Sequence, residues 1–279
     1  HGKNHVSLST AQPAFWQFSW NEIGSFDVPA IIDYILAVTG EAKIHYVGHS
    51  QGTTDFFVMA SERPEYNDKL KSAHALAPVA FMHNIPSLLL KILSVFQNSI
   101  DRITKFVGLN EFLPSTELLG ELGKWFCTDD DWTQGILCTN IYFLIAGYNP
   151  NQLNASLIPD FLENVPAGAA TKQLIHYAQE INSGKFQKFN FGWFKNNQIY
   201  GQAFPPNYDL KKITVPVHLY YSKKDNMVHP KDAQKLADNL PNLQEFFLVQ
   251  DEDWTHFDFL IGIDAIKLIY AHMAEQMEK

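Results

Sequence analysis

The pentapeptide Gly48-His49-Ser50-Gln51-Gly52 limits the fold of this chain more than any other feature. Before it stands Ile44-His45-Tyr46-Val47, a short β-prone run, and after it Thr53 to Glu62 can continue as a helix as far as Pro64. A G-x-S-x-G spacing lets the backbone swing sharply from strand to helix while the serine side chain stays exposed at the bend. Such a pentapeptide turns up by composition alone in roughly one chain in ten of this length, so the flanking strand and helix carry the reading. There the helix N-terminus points at a negative oxygen developing beside the serine. Ser50 is the candidate nucleophile and the backbone N–H of Gln51 a candidate oxyanion donor. The rival is an ordinary glycine-rich turn. His49, though adjacent, is expected to point elsewhere.

The surrounding pattern is α/β. Asp27-Val28-Pro29 reads as an N-cap with proline in the first turn of a helix that runs from Ala30 to Val38 and stops at Gly40. Ala73 to Ala77 reads as a second buried strand before Pro78, completing the strand, helix, strand order of a parallel unit. From residue 81 to 205 the segments are mostly helical, interrupted by aromatics and prolines, without convincing strand alternation. Strand character resumes at Val215 to Tyr221, then come a helix over Pro230 to Asn239, a last strand over Glu245 to Val249, and a helix from Phe259 to Met277. The expected organisation is a hydrolase-type core in two parts, 1–80 and 206–279, split by a helical cap or lid at 81–205. A mostly parallel sheet divided this way places any site at its carboxyl edge beneath the insertion.

Serine becomes nucleophilic when an imidazole takes its proton and a carboxylate fixes the imidazole's tautomer. Asp225, in Ser222-Lys223-Lys224-Asp225-Asn226 just past a strand, is the candidate acid, against the reading of a solvated turn aspartate; Asp251, Asp253 and Asp258 compete. His256, in Trp254-Thr255-His256-Phe257-Asp258 between the last strand and the last helix, is the best placed of 11 histidines, with His229 as runner-up. His45 and His49 lie across a strand and a turn rather than on one helix face, which argues against zinc. No metal or cofactor is expected.

Charge and composition exclude further classes. The net charge of -9, with no basic run, argues against a nucleic-acid partner, and 46% hydrophobic residues support a sizeable core. The longest apolar stretch, Ile85 to Phe96, is interrupted by Lys91 and falls short of the roughly 20 residues that span a bilayer. No transmembrane helix is expected. That stretch has more apolar residues than one core-facing stripe needs, leaving contact with lipid or burial under the cap as its two readings. The polar start His1-Gly2-Lys3 is no secretory signal. Cys127 and Cys138 are spaced too widely for a metal-type pair, and form a small disulfide loop or remain two buried thiols according to compartment. Asn154-Ala155-Ser156 is an N-x-[ST] sequon, an acceptor in the secretory route or else an unused tripeptide.

Taken together, these residues resemble the acid lipases, the group of gastric and lysosomal lipases and their insect relatives on the α/β-hydrolase fold. Phe15 to Glu22 with Asp27-Val28-Pro29-Ala30, His45 to Thr54, Ala75 to Ala80, Pro166-Ala167-Gly168, Ser183 to Phe186 and His256-Phe257-Asp258-Phe259 are similar to the family's motifs, in order, over nearly the whole chain. The resemblance implies hydrolysis of triacylglycerols or cholesteryl esters at a lipid–water interface, without metal or coenzyme. It carries a triad onto Ser50, Asp225 and His256, implies a Cys127–Cys138 disulfide in the cap, and implies a secreted or lysosomal protein.

The beginning departs from that pattern. An α/β-hydrolase places several strands before the nucleophile strand and draws a second oxyanion donor from an early HG-type loop. The stretch before Ile44 is short, offers one helix and no strand pair, and His1-Gly2 is not in that context. The expectation is a chain that begins inside the domain, lacks its N-terminal strands and one oxyanion donor, and alone is poorly soluble and nearly inactive because a hydrophobic sheet edge stays unpaired. The rival function is a non-catalytic lipid carrier or storage protein that keeps the fold for its pocket. A serine peptidase or thioesterase is a third.

Overall fold

The computed structural model of the chain describes residues 4–95, 110–112, 147, 149–153 and 168–279. Among them the strands are β1 (Ile44–His49), β2 (Leu70–Leu76), β3 (Glu111–Phe112), β4 (Ala169–Ala170), β5 (Val217–Tyr221) and β6 (Leu243–Leu248). β1, β2, β5 and β6 form one sheet in that spatial order, every pair parallel. β3 and β4 make a separate antiparallel pair of two residues each. The sequence reading omits that pair, because two residues are too few to show a period.

Parallel neighbours need crossover connections, and helices supply them. The described helices are α1 (Trp20–Glu22), α2 (Val28–Thr39), α3 (Gln51–Glu62), α4 (Leu88–Val95), α5 (Thr171–Ser183), α6 (Trp193–Tyr200), α7 (Pro230–Ala237), α8 (Asp258–Ile261) and α9 (Ala271–Met277). α3 joins β1 to β2, and α7 joins β5 to β6. α3 packs Phe56, Phe57, Val58 and Met59 into a core with Tyr46, Ala73, Ala75, Val217 and Leu219 on one face of the sheet. Each large apolar side chain buried this way contributes roughly 1.5–3 kcal/mol. A second core joins Leu76, Tyr220, Val249, Trp254, Phe259 and Ile269. None of the described helices is long and apolar enough to cross a membrane.

Two expectations are corrected. Asp27 is not an N-cap: its backbone is helical and its side chain makes no capping bond. The helical run begins at Trp20, where Ser19 and Glu22 form a reciprocal capping box. It passes through a π-helical stretch, Ile23–Asp27, into α2. Pro29 lacks the N–H that would reach Ser25 O in an α-helix, and the Arg63 guanidinium donates to that carbonyl instead, at 3.1 Å. The last helix is also not continuous. After α8 the backbone is extended at Gly262, which bridges antiparallel to Leu153, and helix resumes at Ile266. The apolar period of the segment conceals the break, which a remote residue holds in place.

Candidate active site

β1 delivers Ser50 at a sharp bend. Its φ of 53° and ψ of -119° place it outside the ordinary regions for a non-glycine residue, a strain of roughly 1–3 kcal/mol that surrounding bonds must hold. Those bonds are present. Ser50 N donates to Leu76 O at 3.0 Å, and Ser50 O accepts from Thr53 N at 2.9 Å and from Thr53 Oγ1 at 2.6 Å. The Tyr46 hydroxyl donates to Gly52 O at 2.7 Å, closing the bend from the strand side. The two motif glycines are unequal. A Cβ on Gly48 would sit 2.8 Å from the carbonyl carbon and oxygen of Gly52, whereas one on Gly52 would meet nothing nearer than the Tyr46 hydroxyl at 3.9 Å.

β5 and β6 deliver the other two groups. Asp225 follows β5, and its Oδ1 accepts from Met227 N at 2.7 Å and Val228 N at 2.9 Å. Its Oδ2 lies 2.8 Å from His256 Nδ1, and His256 Nε2 lies 2.7 Å from Ser50 Oγ. With both carboxylate oxygens accepting, Nδ1 is the ring donor and Nε2 is left to accept the serine proton. Asp225 and His256 are 2% and 1% exposed, while Ser50 is only half-buried and so reachable from outside. The three residues named from sequence therefore form one continuous hydrogen-bonded line. Gln51 is the first residue of α3, so its N–H has no carbonyl four residues back within the helix and points out of its N-terminus beside Ser50.

The rival residues have other duties. Asp258 Oδ2 accepts from Thr255 N at 2.7 Å and Thr255 Oγ1 at 2.9 Å, tying down the residue before His256. Burial pushes the Asp258 carboxyl above its ordinary range, partly offset by these donors. Asp251 Oδ1 accepts from Asp253 N at 2.9 Å. His229 caps α7 by accepting from Lys231 N at 3.0 Å. His45 Nδ1 lies 2.7 Å from Ser72 Oγ. Among the described residues no group of three or more His, Cys, Asp or Glu is arranged to hold a metal ion. Cys127, Cys138 and Asn154 lie outside the described residues, as do His1 and Gly2.

Sequence reasoning missed three supports. His49 is not idle: its Nε2 donates to the His256 carbonyl at 2.8 Å, its ring lying 4.7 Å from the His256 ring. Burial and the neighbouring His256 push the His49 imidazole down to about 3, so it stays neutral while it donates. The Gln51 side chain donates to Gln173 Oε1 on α5 at 2.7 Å, linking the elbow to a residue 122 positions further along the chain. Gln152 reaches the loop of His256 from a distant part of the chain. Only the position of His49 inside the motif offered any signal; the others are invisible without the fold.

Comparison with known proteins bears on the family and the fold. Residues 1–134 match the model of the alpha/beta hydrolase fold family. The chain is 45% identical to Lipase 3 of Drosophila melanogaster over 100% of its own length and 70% of that protein's. It is 36% identical to the gastric triacylglycerol lipase of Rattus norvegicus and 34% identical to the lysosomal acid lipase/cholesteryl ester hydrolase of Homo sapiens, in each case over 99% of this chain and 68% of the relative. The solved structure of the acetyl esterase MekB superposes with a TM-score of 0.53 at 18% identity, covering 100% of this chain and 73% of that one, a likeness of fold. The chain thus belongs to the acid lipase family of α/β hydrolases, a family of lipid ester hydrolases.

Proposed function

We propose that this chain hydrolyses triacylglycerols or cholesteryl esters by acyl transfer through Ser50. The observation that carries the reading is the unbroken line from Ser50 Oγ to His256 to Asp225, with links of 2.7 and 2.8 Å, at the N-terminus of α3. Ser50 attacks the ester carbonyl as His256 Nε2 takes its proton, and Asp225 holds the ring and stabilises the imidazolium. The N–H of Gln51 faces the oxygen that turns negative, and one such donor supplies roughly 3 kcal/mol of transition-state stabilisation. His256 returns the proton to the leaving alcohol. Water then enters by the same base and releases the fatty acid. The scheme needs no metal or coenzyme.

Substrate meets this site at a lipid–water interface, in a secreted or lysosomal protein with Asn154 glycosylated and Cys127 bridged to Cys138. Residues 81–205 are a cap over a core built from 1–80 and 206–279. The names of the gastric and lysosomal relatives support both the substrate class and the location.

The test is labelling with an organophosphonate, which reacts with an activated serine, followed by mass spectrometry of the Ser50 peptide. A Ser50 adduct, absent from Ser50→Ala, together with fatty-acid release from triacylglycerol or cholesteryl ester emulsions is expected. A protein that binds lipid but takes no adduct is a carrier instead. Faster turnover of amides or thioesters than of matched esters would point to a peptidase or thioesterase.

A further inference from the structure

The loop that carries His256 is fixed from outside by a residue remote in the chain. Gln152 is 4% exposed. Its Nε2 donates to Asp251 Oδ2 at 3.1 Å and to Asp264 Oδ2 at 3.0 Å, and its Oε1 accepts from Asp264 N at 2.9 Å. Its own carbonyl accepts from Ile263 N at 3.1 Å, and Leu153 bridges to Gly262. One amide thus ties the turn that leads into the base, where Trp254 N donates to Asp251 O at 3.3 Å, to the break between α8 and the last helical stretch. Gly147, in the same segment, is pressed between the acid and base loops. A Cβ there would lie 2.9 Å from Thr255 Cγ2 and 3.0 Å from Lys224 O, neighbours of His256 and Asp225.

We propose that Gln152 is a positioning residue: its amide bridges the carboxylates of Asp251 and Asp264 and thereby holds His256 at the distance from Ser50 that proton transfer needs. The proposal rests on the acyl-transfer reading above. Because both carboxylate oxygens touch one nitrogen, they stand within about 6 Å of each other, and without the N–H donors between them two like charges would face each other. Repulsion would then open the Asp251 turn and carry His256 away from Ser50. Protonating either carboxyl would remove the repulsion and let one donate to the other. Loss of the bridge therefore damages activity near neutral pH and spares it in acid.

The other charged groups around this pair do not cancel the effect. Asp258, on α8, is a third carboxyl that feels Asp251 and adds to the repulsion. Asp253 is bonded to Asp251 through its backbone N–H, and Glu252 faces Lys223 on the acid loop at 3.6 Å, an exposed pair. The described residues of the segment from Gly147 to Leu153 contribute no titratable side chain.

The experiment measures kcat and KM of the full chain on p-nitrophenyl butyrate from pH 4 to 8. Gln152→Leu is expected to lose roughly 10–100-fold in kcat near pH 7, the order of effect that a misplacement of about 1 Å produces, and only a few-fold near pH 4.5. KM should move less than about twofold. Adding Asp264→Asn removes one charge and returns an N–H donor, and should restore most of the lost kcat at pH 7. Gln152→Glu, nearly the same shape, carries the same test should the leucine variant not fold: active in acid, impaired at neutral pH, and rescued by Asp264→Asn. A loss equal at every pH, a change confined to KM, activity like the parent's, or no rescue overturns the clamp. Phosphonate titration of the parent separates the two levels, since a parent that takes no label sinks the acyl-transfer reading, whereas a labelled, active parent with pH-independent variants sinks the clamp alone.

Discussion

Around Ser50 most of the supports come from close neighbours in sequence, Leu76 and Gln173 apart, whereas around His256 the bonds to its own ring and carbonyl come from remote parts of the chain. Thr53 and Tyr46 bond the elbow, and Gly48 nestles against Gly52, all within six residues of one another in pairs. His256 instead rests on Asp225, 31 residues away, and donates nothing to the His49 ring, which reaches its carbonyl from 207 residues away. Gln152 grips Asp251 in the same loop from 99 residues away and Asp264, beyond α8, from 112. The candidate nucleophile is shaped mainly by a local turn and the candidate base mainly by tertiary contacts. A local turn tolerates little change within its few residues, while a loop held by remote bonds can be loosened from several places.

The sharpest way to break this contrast is at the remote side. Asp225→Asn keeps an oxygen to accept from Met227 and Val228 but presents an amide to His256 Nδ1, reversing the ring's tautomer. A loss of about 10⁴-fold in kcat is expected with little change in melting temperature, on the pattern of other serine triads. A loss under tenfold on a soluble ester would mean that Asp225 does not orient the base.

At the local side the two glycines give the next effect. Gly48→Ala should cost roughly 1–3 kcal/mol, because its methyl would press on the Gly52 backbone at 2.8 Å and on the Tyr46 ring at 2.9 Å. Gly52→Ala has room and lies in a helix, where alanine is favoured by roughly 0.5–1 kcal/mol. Urea denaturation of both decides the matter. Equal destabilisation would show that the tight approach at Gly48 is not what shapes the elbow.

The third contrast concerns charge behind the elbow. Burial, with Asp27 nearby, pushes the Asp55 carboxyl on α3 up to about 8. The folded chain keeps this proton where the unfolded carboxyl, near 3.8, has lost it, so the stabilisation is full below about pH 4 and fades as pH rises through 8. His49 works the other way: buried and neutral down to about 3, it costs stability as pH falls below 6.5, where the unfolded imidazole takes a proton. Asp55→Asn should therefore show a shallower fall in melting temperature between pH 4 and 8 than the parent. Parallel curves for the two proteins would remove Asp55 from the account.

What could be read in advance follows the same division. Ser50, Gln51, Asp225 and His256 were legible because strand ends and helix starts announce themselves by period, glycine and proline, and because a serine needs an acid and a base in a set order. The helix start at Trp20 was not, since Pro29 has the look of a first turn and nothing local reveals that Arg63 takes the carbonyl Pro29 leaves unbonded. The break at Gly262 was hidden for a similar reason: apolar spacing continues through it, and the partner that holds it, Leu153, comes from elsewhere.

The sequence by itself determined the α/β pattern, the elbow and the identity of three groups able to move a proton, because these depend on short-range sterics and on residue chemistry. Only the tertiary structure decided that His49 donates to the His256 carbonyl, that Asp258 ties down Thr255 beside it, and that Gln152 joins the carboxylates of Asp251 and Asp264. Such roles depend on which side chains meet across the fold, and distance along the chain carries no record of those meetings.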